Sequence, residues 1–241
     1  MSDSTYNSEA SNEDFEFKAL EHAYNYRLSL IREFSKYLKG SVIEIGSGIG
    51  QMTALFRELK DISFLQCTEP DQRFSSKLRE KFPDQPIFEG IARDIYKKDW
   101  DAIVTINVLE HIEKDQEELR VYFDLLKEKR GSLCLFVPAR PEIYAPLDKD
   151  FGHYRRYTKK NLTEKLAHAG FIVESIRYYN MVGYFAWWFS FCFLKQRSFN
   201  AKAVIFYDKV IFPIVYFVES RIAHPPFGQS LIVVAKAVSD K

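Results

Sequence analysis

From Phe15 to Leu38, apolar residues recur at helical spacing (Leu20, Tyr24, Leu28, Ile31, Phe34, Leu38) and Gly40 supplies a stop, which predicts one or two leading helices. Ser41 to Ile45 is a short β-branched run, a strand, ending at Gly46, and Met52, Leu55, Phe56 and Leu59 then mark an amphipathic helix. The same alternation continues with a strand over Ile62 to Thr68, a helix over Gln72 to Phe82, a strand at Ile87 to Glu89 and a buried strand over Asp101 to Asn107. Asp115 and Glu118 have the spacing of a capping box, opening a helix through Leu119, Tyr122, Phe123 and Leu126 that closes before Gly131. Leu133 to Val137 is a fifth strand. Thr158 is placed to cap a helix through Leu162 and Leu166 that stops at Gly170, with strands at Phe171 to Ile176 and Ser230 to Val238 on either side of a long segment. Seven strands separated mainly by helices predict an α/β, doubly wound sheet with both faces covered.

Two segments break the rhythm. Pro138 to Tyr157 holds three prolines and a mixed charge cluster directly after a strand, where α/β folds place substrate loops. Tyr178 to Phe227 is too long for a connection and dense in aromatics, so it must carry structure of its own. The expected organisation is a mobile polar tail at 1–14, a main domain at 15–177 and 228–241, and an aromatic-rich helical insert at 178–227.

Composition narrows the function. A chain of 241 residues, 46% hydrophobic and 28% charged, is long enough for one domain with an appendage and too ordered in composition for a disordered chain. With 34 basic and 33 acidic side chains there is no global electrostatic reason to expect nucleic acid. Cys67, Cys134 and Cys192 each sit in an apolar run, which reads as a reduced chain with no disulfide framework or zinc site, and the polar start of the chain lacks a signal-peptide pattern. The expected location is cytoplasmic.

The sharpest chemical signal is Val42-Ile43-Glu44-Ile45-Gly46-Ser47-Gly48-Ile49-Gly50. Glycines at alternate positions after a buried strand let the backbone turn and a ligand approach closely. The third glycine is one residue too early for the dinucleotide fingerprint and an acid precedes the first by two positions, which counts against a pyrophosphate cofactor. The string resembles the first motif of the class I S-adenosylmethionine-dependent methyltransferases. That resemblance implies a seven-stranded Rossmann-like sheet with the last strand antiparallel, S-adenosyl-L-methionine as cofactor, and cofactor contacts from Gly46, Ser47, Gly48 and Gly50. Glu44 suits the cationic end of such a ligand. Glu69, ending the second strand, is the implied acceptor for the ribose diol, with Asp71 as the competing acid.

Further along, Glu89-Gly90-Ile91-Ala92-Arg93-Asp94 resembles the family's adenine loop, although Ile91 stands where an acid is frequent; backbone at Ala92 and Arg93 remains, with the Arg93 stem against the ring. The string from Asp101 to His111 resembles the fourth-strand motif, including the VLEH of quinone-biosynthesis type O-methyltransferases. It implies Asn107 near the methyl group, Leu109 beneath the adenosine and His111 as a base, against the plainer reading that Glu110 and His111 brace a helix. Asp148 to Tyr157 resembles a subgroup linked with polysaccharide and glycolipid biosynthesis; His153 would be a second base, with Asp150, Arg155, Arg156 and Tyr157 at the substrate. The plainer reading pairs the arginines with Asp148 and Asp150 and buries Tyr157. No carboxylate constellation has metal-ligand spacing, so no metal is expected.

Met181 to Leu194 is apolar for about fourteen residues, too short to span a bilayer of roughly twenty-residue thickness. It could be cover for the sheet, a homodimer surface, or a peripheral membrane contact for a lipid-linked substrate. The function expected from these signals is methyl transfer to a hydroxyl or amine of a small-molecule, sugar or lipid-linked acceptor. A non-catalytic cofactor-binding module is the alternative, and a nucleotide-dependent oxidoreductase fits less well because no Tyr-x-x-x-Lys pair accompanies the glycines.

Overall fold

The structure, a computed structural model, describes residues 21–96, 99–221 and 225–238. The expected tail at 1–14 lies outside them. Seven strands form one sheet in the order β3-β2-β1-β4-β5-β7-β6: β1 (Gly40–Ile45), β2 (Ile62–Thr68), β3 (Ile87–Phe88), β4 (Ala102–Ile106), β5 (Ser132–Pro138), β6 (Phe171–Tyr179) and β7 (Ser230–Ala237). β1 to β5 run parallel, while β7 is antiparallel to both β5 and β6. The chain order reverses between β1 and β4, and the crevice at their carboxyl ends is where an open α/β sheet binds its ligand.

Alternation along the central strands gives two cores. Ile43, Ile45, Ile103, Leu133 and Leu135 face α4 (Asp115–Leu126) and α6 (Lys159–Ala169), the short α5 (Pro146–Asp150) lying in the loop between them. Val42, Val104, Cys134 and Phe136 face the side covered by α1 (Tyr24–Phe34), α2 (Thr53–Phe56) and α3 (Gln72–Lys81). Glu44 shares the second face with Val42, because side chains two apart on a strand point the same way. Burying β1 on both sides explains why its sequence reads as an unbroken apolar run around that one acid.

Three expectations change. The helix after the glycine turn is a single turn, Thr53–Phe56, rather than a run to Leu59. The capping box does not form: Lys114 is the N-cap of α4 with no side-chain bond, and the Asp115 carboxylate instead takes hydrogen bonds from Tyr157 and Lys165. β6 continues through Tyr178 and Tyr179, so the insert begins after them. Thr158 caps α6 as expected, accepting from the Asn161 amide at 3.1 Å, and Gly170 closes it with φ of 102°. The segment before β7 is helical, with α7 (Met181–Trp187) running into a wide turn over Trp188–Phe193, and α8 (Ala201–Phe206) continuing through Tyr207–Ile211 into α9 (Phe212–Glu219). Cys67, Cys134 and Cys192 are free thiols.

Candidate functional site

The carboxyl ends of β1, β2 and β4 open into a cavity of about 890 Å³. Its floor is the glycine turn. Gly46 has a φ of 72° and lies so close to Val108 that any side chain would collide with it. Val108 is brought there by Asn107, whose φ of 54° turns the chain sharply at the end of β4; asparagine is among the few side chains that tolerate that conformation. Gly46, Ser47, Gly48, Val108 and Asn107 all line the cavity.

Two acids flank the turn. Glu69 is buried, accepting the Gly48 amide at 2.8 Å on one oxygen and the Asp71 amide at 3.0 Å on the other, and it lines the cavity. The competing Asp71 is otherwise occupied: it caps α3 through the Arg73 amide at 2.8 Å and pairs with the Arg73 guanidinium. Glu44 is also buried, bonded by the Thr53 hydroxyl at 2.6 Å and approached by the Cys67 thiol. Burial pushes its carboxyl up to about 7, against the opposing pull of the Thr53 and Cys67 hydrogen bonds. Ile91, Ala92 and Arg93 line the adjoining wall, with Arg93 paired to Glu117 at 3.3 Å.

At the other side of Asn107 stand the histidines. His111 and His153 meet edge to face with ring centroids 4.6 Å apart. Burial and the neighbouring His153 hold His111 down to about 3, against the hydrogen bond its ring donates to the Phe151 backbone carbonyl, so it stays neutral across the physiological range. His153 is fixed through Nδ1 to Asp148 at 2.9 Å. The same Asp148 oxygen accepts the Arg156 Nε at 2.8 Å, and those bonds carry the carboxyl below its ordinary range despite burial. Glu110, at the foot of the same turn, joins them: one ligand-type atom from each of Glu110, His111 and His153 lies within 4.8 Å of the others. Two imidazoles and a carboxylate are a donor set able to hold a divalent ion, and sequence spacing gave no sign of it because His153 lies forty-two residues beyond His111.

The structure corrects five of the sequence assignments. Leu109 is fully buried in the core under α4, and Val108 takes the cavity-facing place. Gly50 packs against Leu78 and Phe82, away from the cavity. Asp150 pairs with Arg197 on the surface. Arg155 binds the Ile112 and Glu113 carbonyls and Asp115, which holds it on the outer side of the loop. Tyr157 is buried, its hydroxyl on Asp115 at 3.0 Å, because it anchors the loop to α4. Of the substrate candidates only Arg156 lines the cavity, and it is buried there with its guanidinium 4.4 Å over the Trp187 ring.

The far wall was not anticipated. Ala23, Tyr26, Arg27 and Leu30 of the leading helix close one side, and Ala186, Trp187, Ser190, Phe191 and Val204 of the insert close another. No local motif signals this, since it depends on how distant helices pack over the sheet.

Residues 43–133 match the family model described as a methyltransferase domain. No curated protein matches the chain. Among solved structures, the chain is similar to the one solved with the Trm112 methyltransferase activator of Haloferax volcanii (14% identity, 95% of this chain and 96% of that one, TM-score 0.63). It is likewise similar to an S-adenosylmethionine-dependent methyltransferase of Thermotoga maritima described as a possible histamine N-methyltransferase (14%, 93% and 95%, TM-score 0.61). A third is a methyltransferase of Archaeoglobus fulgidus (17%, 92% and 100%, TM-score 0.58). At such identities the likeness is one of fold, and that fold is the class I methyltransferase fold, with the antiparallel seventh strand inserted as the sequence resemblance implied. The matched segment runs from within β1 across the glycine turn and β4 to the start of β5, so the likeness to a methyltransferase domain covers the floor of the cavity.

Proposed function

We propose that the protein is an O-methyltransferase whose acceptor hydroxyl lies against His111 and His153 while the rest of the acceptor runs along the insert. The observation that carries this reading is the continuity of one cavity from the glycine turn and Glu69, past the histidines, to Trp187 and Phe191. S-adenosylmethionine, when bound, supplies an electrophilic methyl group on a sulfonium. Gly46 and Gly48 would hold its methionine portion, Glu69 its ribose hydroxyls, Ala92 and Arg93 its adenine side and Asn107 the region of the methyl.

A hydroxyl must lose its proton as it attacks, and the paired imidazoles suit that need better than they suit an amine. With Nδ1 on Asp148, His153 would receive the proton at Nε2 while the Asp148 carboxylate stabilises the imidazolium. His111, neutral throughout, would accept a hydrogen bond from the acceptor and orient it. The cavity's apolar insert wall favours a lipid-linked or similarly apolar-bodied acceptor among the small-molecule, sugar and lipid candidates.

Calorimetry with S-adenosylmethionine, followed by product assays on phenolic, amine and polyprenyl-linked sugar acceptors, tests the reading. Glu69→Ala should weaken cofactor binding by about 1 to 3 kcal/mol, the range for lost hydrogen bonds to a charged acceptor. His153→Gln should lower turnover on a hydroxyl acceptor and spare cofactor affinity. Unchanged cofactor affinity in Glu69→Ala, or transfer to amines alone, would overturn it.

A further inference from the structure

The insert helices that wall the cavity are apolar on their outer side as well. Phe185, Trp188 and Phe189 are all about half exposed and follow one another at the spacing of a single helix face, while Ala186, Trp187 and Ser190 turn to the cavity. On the second helical run Phe206, Ile214 and Phe217 form a matching outer stripe, each more than half exposed. A helix apolar around its whole circumference belongs inside a core or in contact with lipid, and here nothing of the described chain covers the outer side.

The charges on these helices decide what does. Between Met181 and Arg221 there are five basic residues, Lys195, Arg197, Lys202, Lys209 and Arg221, all exposed. The two acids of the same stretch are buried: Asp208 takes the backbone amides of Asn25 and Tyr26, and Glu219 those of Asn180 and Met181. Every exposed charge of this stretch is therefore positive, and among the described residues an acid, Asp150, meets only Arg197. A second copy of the chain would bring like charges together across a two-fold axis, whereas an anionic surface with an apolar interior complements both features. No helix among the described residues is long and apolar enough to cross a membrane, so contact would be at the surface.

We infer that the outer face of the insert docks on an anionic lipid bilayer. The acceptor is then drawn from that bilayer, an amphiphile whose apolar body enters between the same helices that touch the lipid. This deepens the preceding reading and rests on it for the cavity, but the docking itself is measured without catalysis.

Trp188 provides the probe, since Trp100 and Trp187 are buried. The full chain is mixed with vesicles of phosphatidylcholine alone or with one third phosphatidylglycerol, some carrying bromine on the acyl chains, and flotation is scored beside tryptophan quenching. Binding is expected to the anionic vesicles, with quenching that Trp188→Phe abolishes. Partitioning should fall about tenfold or more in Trp188→Ser/Phe189→Ser, and several-fold as salt rises from about 0.05 to 0.5 M. Absence of binding, binding indifferent to both substitutions, or a stable dimer whose Trp188 is unquenched overturns the inference. If docking fails while cofactor binding and transfer to a soluble hydroxyl persist, the functional reading stands and only the membrane is excluded. A circular dichroism spectrum identical to that of the unsubstituted chain shows that the double variant is folded.

Discussion

Cofactor binding should depend on pH through Glu44. Its carboxyl, on the buried face of β1 beneath the glycine turn, is raised to about 7 by burial. A ligand bringing an ammonium and a sulfonium to this end of the cavity favours the ionised form, so binding pulls the proton off. With a free-state value of about 7 and a ligand that binds only the ionised carboxylate, the affinity falls by the fraction of Glu44 that is protonated. That makes the dissociation constant about 16-fold larger at pH 5.5 than at pH 7.0, or about 1.6 kcal/mol. The window is chosen because a free α-amino group titrates near 8 and His111, at about 3, does not titrate within it. Calorimetry in two buffers of different ionisation enthalpy should show about half a proton released per site at pH 7.0. The same linkage acts on the unliganded fold with the opposite consequence: a raised native value stabilises most below about 4.5 and that stabilisation is lost as pH rises through 7. Glu44→Gln should abolish both dependences. A dissociation constant flat between pH 5.5 and 7.0, or a Gln variant with the same slope, would refute the assignment of Glu44 to the cationic end.

Two other outcomes follow from local geometry. Gly46→Ala combines a positive φ with a collision on Val108, so it should cost about 1 to 2 kcal/mol from the backbone conformation alone; adding Val108→Ala should relieve the collision and leave that part, as thermal unfolding of the two variants will show. Tyr157→Phe should lose about 1 kcal/mol in urea unfolding with cofactor affinity unchanged, because its hydroxyl serves Asp115 and the Leu109 carbonyl inside the core.

The sheet was readable because its strands are buried on both faces and separated by amphipathic helices, a pattern written in Leu133 to Val137 and, apart from Glu44, in Val42 to Ile45. The glycine turn was readable for a different reason: backbone conformation there excludes most side chains, so the requirement is local. The loop from Pro138 to Tyr157 was only half readable. Its charges could be paired in several ways, and which arginine met which acid depended on α4 and the insert, both distant in sequence: Arg155 went to Asp115, Asp150 to Arg197 and only Arg156 to Asp148. Leu109 failed by one residue, since a turn at positive φ on Asn107 exchanges the directions of the next two side chains in a way that motif spacing does not reveal. The conjunction of Glu110, His111 and His153 was invisible for the same reason as the cavity's far wall: it exists only after folding.

Tyr179 and Ser230 are direct partners across β6 and β7, and the Gln229 amide reaches back to the Asn180 carbonyl at 3.1 Å. The chain thus leaves the sheet and returns to it on one rung of the ladder, with fifty residues interposed between neighbours. A segment anchored this way is neutral to strand order: it can be shortened to a hairpin, lengthened or exchanged for another without asking the seven strands to rearrange, since loop length adds little to the closure cost. On the proposed reading, the groups that would hold the methyl donor sit on the sheet and the wall that would meet the acceptor sits on the interposed segment, so the two are joined at a single rung.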